Sequence, residues 1–380
     1  MDTKKKFFLF KKYQHFCSVP WNHLEIFSDG SIKTCSSGRP FGNINKQPLA
    51  QILSNSTIRQ IKQDLLENKL IDNCRKCHIR STGNEHFDLR NHYNPMFQKF
   101  DIDYDNLDTF QLNAIDLHWD NTCNLKCVYC NPWQSSMIAA EQGIRFEKPD
   151  QENINKIIDM IVQNQYNMRE IYLSGGEPLL IKHNLKLLKS ISNKDLPIRI
   201  NSNITMAKQG NLVFQELSQF KNVLWTISAE TQAEKFNYIR HGSDWKEVID
   251  NLKNIKQLGH NLRLNAVFFI GAVVDIFDTI EYFIRQHQIR DITINQLDRH
   301  EHLLARNAPE ALKKQARERL NALLATGLVE HKSNSYYNIA RCLRELDLPA
   351  DDTQGYQDYF DRLDQIRNTN WRQIFPELVR

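Results

Sequence analysis

The sequence lacks the long apolar runs and the single-sign charge that mark membrane proteins and nucleic-acid-binding proteins. Its start, MDTKKKFFLFKKYQHF, has lysines on both sides of a short FFLF run, and no later run reaches the length of a membrane span. The 49 basic and 45 acidic residues are interspersed, so no basic stripe indicates a nucleic-acid partner. We therefore expect a cytoplasmic protein without membrane or nucleic-acid partners.

Internal repeats and low-complexity linkers are also lacking, which excludes solenoids and flexible tethers. With 380 residues, of which 41% are hydrophobic and 25% charged, the chain can bury a large core and form two or three modules. In a cytoplasmic protein, clustered cysteines bind metals more often than they form disulfides. The eight cysteines are Cys17, Cys35, Cys74, Cys77, Cys123, Cys127, Cys130 and Cys342.

Three of these cysteines form a compact triplet, Cys123-x3-Cys127-x2-Cys130, in the segment DNTCNLKCVYCNPW. Three thiolates can hold three irons of a cubane cluster and leave one iron open, whereas a closed cluster needs four cysteines. The alternative is a zinc site completed by a fourth ligand such as His118. Zinc sites usually pair CxxC units, so the spacing favours the cluster.

Residues 113–300 alternate between short β-type runs and amphipathic helical runs, which is typical of β/α units around a parallel sheet. One helical stripe contains Ile154, Ile157, Ile158 and Ile161. We predict an α/β fold with a partial (β/α)6 TIM-like barrel, in which the loops after the strands build the site. The predicted strands are Ala114–His118, Glu170–Leu173, Ile198–Ile200, Val223–Ile227, Leu262–Phe269 and Asp291–Asn295.

The pattern of the segment before the predicted barrel indicates a separate module. HLEIF, the turn at Asp29 and Gly30, and SIKTC predict a β-hairpin, and a helix follows from about Ser56 before the Cys74-x2-Cys77 pair. Residues 78–112 read as a connector, and residues 301–380 as a helical C-terminal region. The predicted domains are therefore 1–112, 113–300 and 301–380. The four cysteines of the first domain can close a second metal site, either a cluster or a structural zinc ribbon.

The motif GGEP, Gly175 to Pro178, follows the second predicted strand. Two residues without Cβ suit a backbone that approaches a ligand closely, and Glu177 could accept hydrogen bonds from an ammonium group. The same letters also occur in an ordinary turn that ends a strand.

An aromatic residue, Tyr129, precedes the last cysteine of the triplet. This pattern, together with GGEP, resembles the radical S-adenosylmethionine (SAM) superfamily. The resemblance implies a [4Fe-4S] cluster on the triplet, SAM on its open iron, and reductive cleavage to a 5′-deoxyadenosyl radical that abstracts a hydrogen atom from the substrate. It also implies a reductant protein of the flavodoxin or ferredoxin type. The cofactor contacts that it implies are Tyr129, Gly175, Gly176, Glu177, Pro178, Asn201, Asn203, Ser228, Glu230, Arg240 and Asn265.

The amino-terminal cysteines, with the pattern Gly30-x4-Cys35, resemble the Twitch and SPASM auxiliary-cluster modules of radical SAM enzymes. Those modules commonly follow the barrel, whereas here the cysteines precede it. The resemblance implies an auxiliary [4Fe-4S] cluster on Cys17, Cys35, Cys74 and Cys77. Such a cluster could accept an electron from the substrate radical, which favours net oxidation.

The resemblance makes a peptide or protein side chain the expected substrate. The alternatives are dehydrogenation or epimerisation of a small molecule such as a sugar, aminocyclitol, nucleotide or amino acid. Cys342 is a candidate hydrogen donor for epimerisation, but its helical spacing with Ile339, Leu343 and Leu346 favours a core position. A zinc-binding scaffold without enzymatic activity is the alternative outside the enzymes.

Overall fold

The computed structural model describes residues 3–36, 38–75, 77, 89–297, 299–352 and 354–379. The strands, in chain order, are β1 His23–Phe27, β2 Ser31–Lys33, β3 Gly42–Asn43, β4 Ala114–His118, β5 Lys126–Cys127, β6 Glu170–Leu173, β7 Ile198–Ser202, β8 Val223–Ser228, β9 Arg240–His241, β10 Asn261–Phe268 and β11 Ile292–Gln296.

The helices alternate with the parallel strands through the middle of the chain. They are α1 Thr3–Lys11, α2 Val19–Asn22, α3 Leu49–Leu53, α4 Ser56–Leu66, α5 Leu89–Phe97, α6 Ser136–Glu141, α7 Gln151–Asn164, α8 Lys182–Ser190, α9 Leu212–Leu217, α10 Ala233–Ile239, α11 Trp245–Gln257, α12 Asp275–His287, α13 Glu310–Ala325, α14 Asn334–Asp347, α15 Gly355–Arg367 and α16 Trp371–Ile374. Among the described residues, no helix combines the length and apolarity needed to cross a membrane.

The chain divides into two compact units. Unit 1 comprises Met1–Thr122, Gly143–Ile200 and Gln215–Val223, and unit 2 comprises Cys123–Gln142, Asn201–Phe214 and Leu224–Arg380. The amino-terminal cysteines and GGEP belong to unit 1, and the triplet belongs to unit 2.

The sheet of unit 1 joins the predicted hairpin to the first predicted barrel strands. Strands β4, β6 and β7 pair in parallel, and β1 pairs in parallel with β4 through its whole length. Strands β2 and β3 continue the sheet in antiparallel pairs. The hairpin is therefore confirmed. The domain boundaries at residues 112 and 300 stay predictions, and residues 78–88 of the predicted connector lie outside the described residues.

Unit 2 contains a second run of parallel strands, in which β10 pairs with β8 on one side and with β11 on the other. Strands β5 and β9 form a separate antiparallel pair. The strand predictions are confirmed to within two residues at each end, and the predicted α/β class, a partial barrel of mostly parallel strands with helices, is confirmed.

Several helices begin at a residue whose side chain caps them, and their apolar stripes are buried. The Asn55 side chain accepts a hydrogen bond from the Ile58 amide at the start of α4, and Asp150 accepts from the amides of Glu152 and Asn153 at the start of α7. The predicted stripe of α7, Ile154, Ile157, Ile158 and Ile161, is buried. These stripes are therefore core, as predicted.

Candidate functional site

The triplet lies in a loop of unit 2 whose backbone is held at both ends. Cys127 is part of β5, where it is the register partner of Arg240 in β9, and the next amide, that of Val128, donates to the Ile239 carbonyl at 2.8 Å. The amide of Cys130 donates to the Cys127 carbonyl at 3.1 Å, which closes a tight turn between these two cysteines. These contacts therefore fix the backbone positions of both cysteines.

The first cysteine of the triplet is held by a serine hydroxyl. The Cys123 amide donates to Ser136 Oγ at 3.1 Å, at the start of α6, and the Leu125 amide donates to the Cys123 sulfur at 3.5 Å. Amide donors to a thiolate stabilise its negative charge, and hydrogen bonds to cluster sulfurs are among the factors that set cluster potentials.

The electrostatics of the triplet suit a cationic occupant. Burial raises the pKa of Cys127, and burial together with the neighbouring Cys127 raises the pKa of Cys130 well above its usual range. Without a cation nearby, burial favours the neutral thiol over the thiolate at these cysteines. A bound metal ion favours the thiolate instead, because it deprotonates its ligands. Three sulfur donors in one loop therefore fit the open cluster that the spacing predicts.

Beside the triplet, Tyr129, Glu230 and Arg240 form a closed buried group in unit 2. Arg240 Nε donates to Glu230 Oε2 at 3.0 Å, and its Nη2 donates to the Tyr129 hydroxyl at 2.6 Å. The Tyr129 hydroxyl in turn donates to Glu230 Oε1 at 2.8 Å. Although burial disfavours a charged guanidinium, the Glu230 carboxylate raises the pKa of Arg240 above its ordinary value. The two charged side chains predicted as separate cofactor contacts thus bind each other.

The remaining predicted contacts of unit 2 form pairs at the carboxyl ends of its strands. Ser228 Oγ lies 3.4 Å from Asn201 Oδ1, and Asn295 donates to Asn265 Oδ1 at 2.8 Å. Asn203 donates to Asn124, the residue after Cys123, at 3.1 Å. Asn295 was absent from the prediction, although it is a polar residue near the end of a predicted strand and could have been included on that ground.

The helical C-terminal region supports the triplet loop within unit 2. The Tyr359 hydroxyl donates to the Val128 carbonyl at 2.7 Å, and Arg367 makes a two-pronged ion pair with Glu141 at 2.9 and 3.1 Å. Although burial alone would raise the pKa of Glu141, Arg367 and Lys126 hold it below its ordinary value. These contacts join residues more than two hundred positions apart, so no local sequence signal could have found them.

In unit 1, GGEP packs against the residues that lead to the triplet. The Gly176 amide donates to the Asp120 carbonyl at 3.1 Å, and the Glu177 amide donates to the Thr122 carbonyl at 2.8 Å. A Cβ on Gly175 would lie 2.6 Å from the Asp120 carbonyl oxygen, and one on Gly176 would lie 2.2 Å from that of Thr122. In this structure these glycines make room for a neighbouring backbone. Their close approach to a ligand stays a prediction.

The Glu177 side chain is buried. Glu177 caps the turn Pro178–Leu180, and its Oε1 accepts a hydrogen bond from the Leu179 amide at 3.0 Å. This contact stabilises a turn that follows the strand, which agrees with the alternative interpretation of GGEP as an ordinary strand-ending turn. A contact of Glu177 with an ammonium group stays a prediction.

We expect Gly176→Ala to destabilise the fold and to lower the iron content after reconstitution. The added methyl overlaps the Thr122 carbonyl, and overpacking of this kind costs about 1–3 kcal/mol. The comparison is Gly143→Ala, where nothing lies within 4 Å of the new Cβ. Its φ of +69° strains the alanine locally, so we expect some loss of stability there but an unchanged iron content. Urea unfolding and iron analysis check the prediction, and equal losses in both variants would contradict it.

The four amino-terminal cysteines line one cavity of unit 1. The cavity is open to solvent, and its lining includes Cys17, Cys35, Cys74 and Cys77 together with Lys69 and Arg90. Burial raises the pKa of Cys17, and its three cysteine neighbours raise it further; burial and the neighbouring thiols raise the pKa of Cys74 to about 12. Four mutually repelling sulfur donors beside two cationic side chains fit a closed, negatively charged metal site.

Two further predicted residues have clear environments. Cys342 is fully buried in α14 with Ile339 and Leu346, and burial raises its pKa to about 12, so the core interpretation is confirmed. A hydrogen-donor role for Cys342 stays a prediction. His118 lies on β4, where its Nε2 is 3.2 Å from Glu25 Oε1 in β1.

Two family models match this chain. Residues 120–283 match the radical SAM superfamily, and residues 17–78 match SPASM, an iron-sulfur cluster-binding domain. The second match precedes the first, as the cysteine order predicts. The radical SAM match implies a [4Fe-4S] cluster and SAM as cofactors, and the SPASM match supports an auxiliary cluster.

Curated relatives match a shorter stretch. A GTP 3′,8-cyclase of Alkaliphilus metalliredigens is 28% identical over 176 residues, which are 43% of this chain and 50% of the relative. The radical SAM cyclopropyl synthase TigE of Paramaledivibacter caminithermalis is 25% identical over 188 residues, 46% of this chain and 37% of the relative. The chain thus spans about half or less of the length of these relatives.

Among solved structures, Streptococcus suis SuiB is 17% identical with a TM-score of 0.42, covering 72% of this chain and 58% of SuiB. The structure of anSMEcpe with bound AdoMet is 16% identical with a TM-score of 0.41, covering 57% of this chain and 62% of anSMEcpe.

Proposed function

We propose that this chain is a radical SAM enzyme that oxidatively modifies a peptide or protein side chain. The observation that carries the proposal is the triplet itself: three sulfur donors in a loop fixed by β5 and β9, within the segment that matches the superfamily. When bound, the cluster and SAM would supply a 5′-deoxyadenosyl radical for hydrogen-atom abstraction from the substrate.

The residues of this chain would hold, orient and enclose these cofactors. Cys123, Cys127 and Cys130 would bind three irons, and Arg240 would keep Tyr129 and Glu230 in place beside them, since it bonds to both. Gly175 and Gly176 would set the path of the chain into Cys123 through their contacts with Asp120 and Thr122. We further propose that the carboxylate of Glu177 and the polar groups of Pro178, Asn201, Asn203, Ser228 and Asn265 contact SAM.

The proposed oxidation requires an acceptor for the electron that remains on the substrate after hydrogen abstraction. The four-cysteine cavity supports this part of the proposal, because a closed cluster there could accept that electron while a proton leaves the substrate. An external protein of the flavodoxin or ferredoxin type would supply the electron that starts the reaction.

We expect Cys74→Ser to lower the iron content from about eight to about four atoms per chain while 5′-deoxyadenosine formation persists. The serine oxygen is a poor ligand for a cluster, whereas the triplet would remain intact. Metal analysis of the reconstituted protein, with zinc measured alongside iron, provides the readout. A loss of one zinc with unchanged iron would instead support the structural zinc site.

The substrate class is tested by supplying candidates directly. Reconstituted protein would be incubated with SAM, dithionite and either a short peptide encoded beside its gene or GTP, since GTP 3′,8-cyclases are among the relatives. A peptide product that has lost two hydrogen atoms supports the proposal. If a product forms from GTP but not from the peptide, the proposed substrate would be a nucleotide instead of a peptide.

A further inference from the structure

A buried polar cluster lies on one face of β1 and β4 in unit 1. Residues two apart along a strand share a face, so Asp116 and His118 project from β4 on the same side. Glu25 in β1 is the register partner of Asp116, which brings it next to that pair. Pleat and register together thus place two carboxylates and one imidazole side by side.

The three side chains present their donor atoms to one another. His118 Nε2 lies 3.2 Å from Glu25 Oε1, and the donor atoms of Glu25, Asp116 and His118 all lie within 4.8 Å of one another. The His118 ring is held between Phe27, which stacks on it at 5.2 Å, and the edge-on ring of Tyr172 at 5.9 Å. A single ion could contact all three groups after small side-chain movements.

Two carboxylate oxygens of this cluster, Glu25 Oε2 and Asp116 Oδ1, accept no hydrogen bond from the described residues, although Asp116 Oδ1 lies 3.2 Å from His23 Nε2. Glu25 is 2% exposed, and its Oε2 accepts no hydrogen bond. A buried carboxylate oxygen without a partner is costly, so an additional cation or hydrogen-bond donor would stabilise it. Glu25 Oε1 faces His118 Nε2, which leaves Oε2 as the buried oxygen that accepts no hydrogen bond.

The surrounding charges leave Glu25 as the group in need of a cation. Arg199 donates to Glu170 at 2.9 Å and lies 3.9 Å from Asp116, and His23 lies 3.2 Å from Asp116. His23 Nδ1 lies 2.7 Å from the Thr34 carbonyl oxygen, and His23 Nε2 lies 3.3 Å from the Tyr93 hydroxyl. Glu170 and Asp116 thus have cationic or imidazole neighbours that fix them, as outer groups fix metal ligands.

We propose that Glu25, Asp116 and His118 bind a divalent transition-metal ion such as Mn²⁺, Fe²⁺ or Zn²⁺. One imidazole and two carboxylates form a donor set that suits these ions, and it differs from the thiolate sites that hold clusters. The site is independent of the proposed function. Because its ligands come from two strands that are distant in sequence, the ion would bind the folded chain and stabilise the β1–β4 pairing.

Mn²⁺ is the probe for this site, because it prefers oxygen and imidazole donors over the cysteines elsewhere in the chain. The reconstituted protein would be treated with a chelator and titrated with Mn²⁺, and the free ion would be measured by electron paramagnetic resonance. We expect the wild type to bind one equivalent and its melting temperature to rise with Mn²⁺. Glu25→Gln and His118→Gln should each weaken binding by about tenfold or more.

The matched control is Glu152→Gln, an exposed carboxylate that pairs with Lys156 on the surface of α7, and it should bind Mn²⁺ as the wild type does. If Glu25→Gln fails to fold, His118→Gln decides, since that side chain is 17% exposed and the glutamine amide can still donate a hydrogen bond to Glu25. A wild type that leaves all Mn²⁺ free, or a folded His118→Gln variant with wild-type affinity, would overturn the proposal.

Discussion

Replacing Cys127 with alanine is expected to remove about four irons per chain and to abolish 5′-deoxyadenosine formation. Cys127 is the middle cysteine of the triplet and lies in β5, opposite Arg240. With two thiolates left, the loop can no longer hold three irons of a cubane. The measurements are iron content and chromatographic detection of 5′-deoxyadenosine after reduction in the presence of SAM.

Cys342→Ala is the matched control for this variant. It removes a cysteine that is also in unit 2 but is fully buried among apolar side chains of α14. Its expected effect is a loss of stability through the cavity that it creates, with iron content and product per iron unchanged. If Cys342→Ala loses 5′-deoxyadenosine while keeping its iron, the assignment of the thiol to the core would be wrong.

The second large effect is expected for Arg240→Gln, which should lower the free energy of unfolding by about 3–5 kcal/mol. The substitution leaves the Glu230 carboxylate buried without its cation, since Glu230 is fully inaccessible to solvent and Arg240 is 5% exposed. The Tyr129 hydroxyl also loses its guanidinium neighbour. We expect lower iron retention as well, because Arg240 is the strand partner of Cys127.

Arg263→Gln provides the comparison, because it breaks an ion pair of the same chemistry on the surface of unit 2. Arg263 pairs with Asp291 at 2.8 Å, but both side chains are partly exposed, so the expected cost is about 0–1 kcal/mol. Urea unfolding of both variants measures the difference. The double variant with Glu230→Gln should recover part of the loss, since it removes the uncompensated charge. Equal costs for Arg240→Gln and Arg263→Gln would contradict this account.

The sequence was sufficient for the elements whose signals are local. Apolar runs such as that of Glu170–Leu173 predicted strands, and the stripe from Ile154 to Ile161 predicted a helix face, because side-chain periodicity follows directly from backbone geometry. The signals for these strands and helices each lie within a few residues of chain. The two metal sites that the cysteine pattern indicates stay predictions, and the four amino-terminal cysteines are spread over residues 17 to 77.

Contacts between distant segments could not be predicted in this way. The parallel pairing of β1 with β4 joins Glu25 to Asp116 across about ninety residues, and nothing in either strand alone specifies the partner. The ion pair of Glu230 with Arg240 was missed for a different reason: each residue was interpreted by itself as a cofactor contact.

One signal was present in the sequence but was not used. The segments HLEIF and AIDLH both place polar residues at alternate positions of strands that are otherwise apolar. In a buried strand this alternation marks one polar face, and two such strands in one sheet predict a polar cluster. The Glu25, Asp116 and His118 group is that cluster.

The proposal that this chain cleaves SAM is tested by measuring 5′-deoxyadenosine formed by the reduced wild-type protein. Protein with both sites reconstituted would be reduced with dithionite, incubated with SAM without any substrate, and assayed by mass spectrometry. We expect 5′-deoxyadenosine and methionine in equal amounts, dependent on dithionite and absent in Cys127→Ala. Iron-loaded protein that binds SAM but yields no 5′-deoxyadenosine would contradict it.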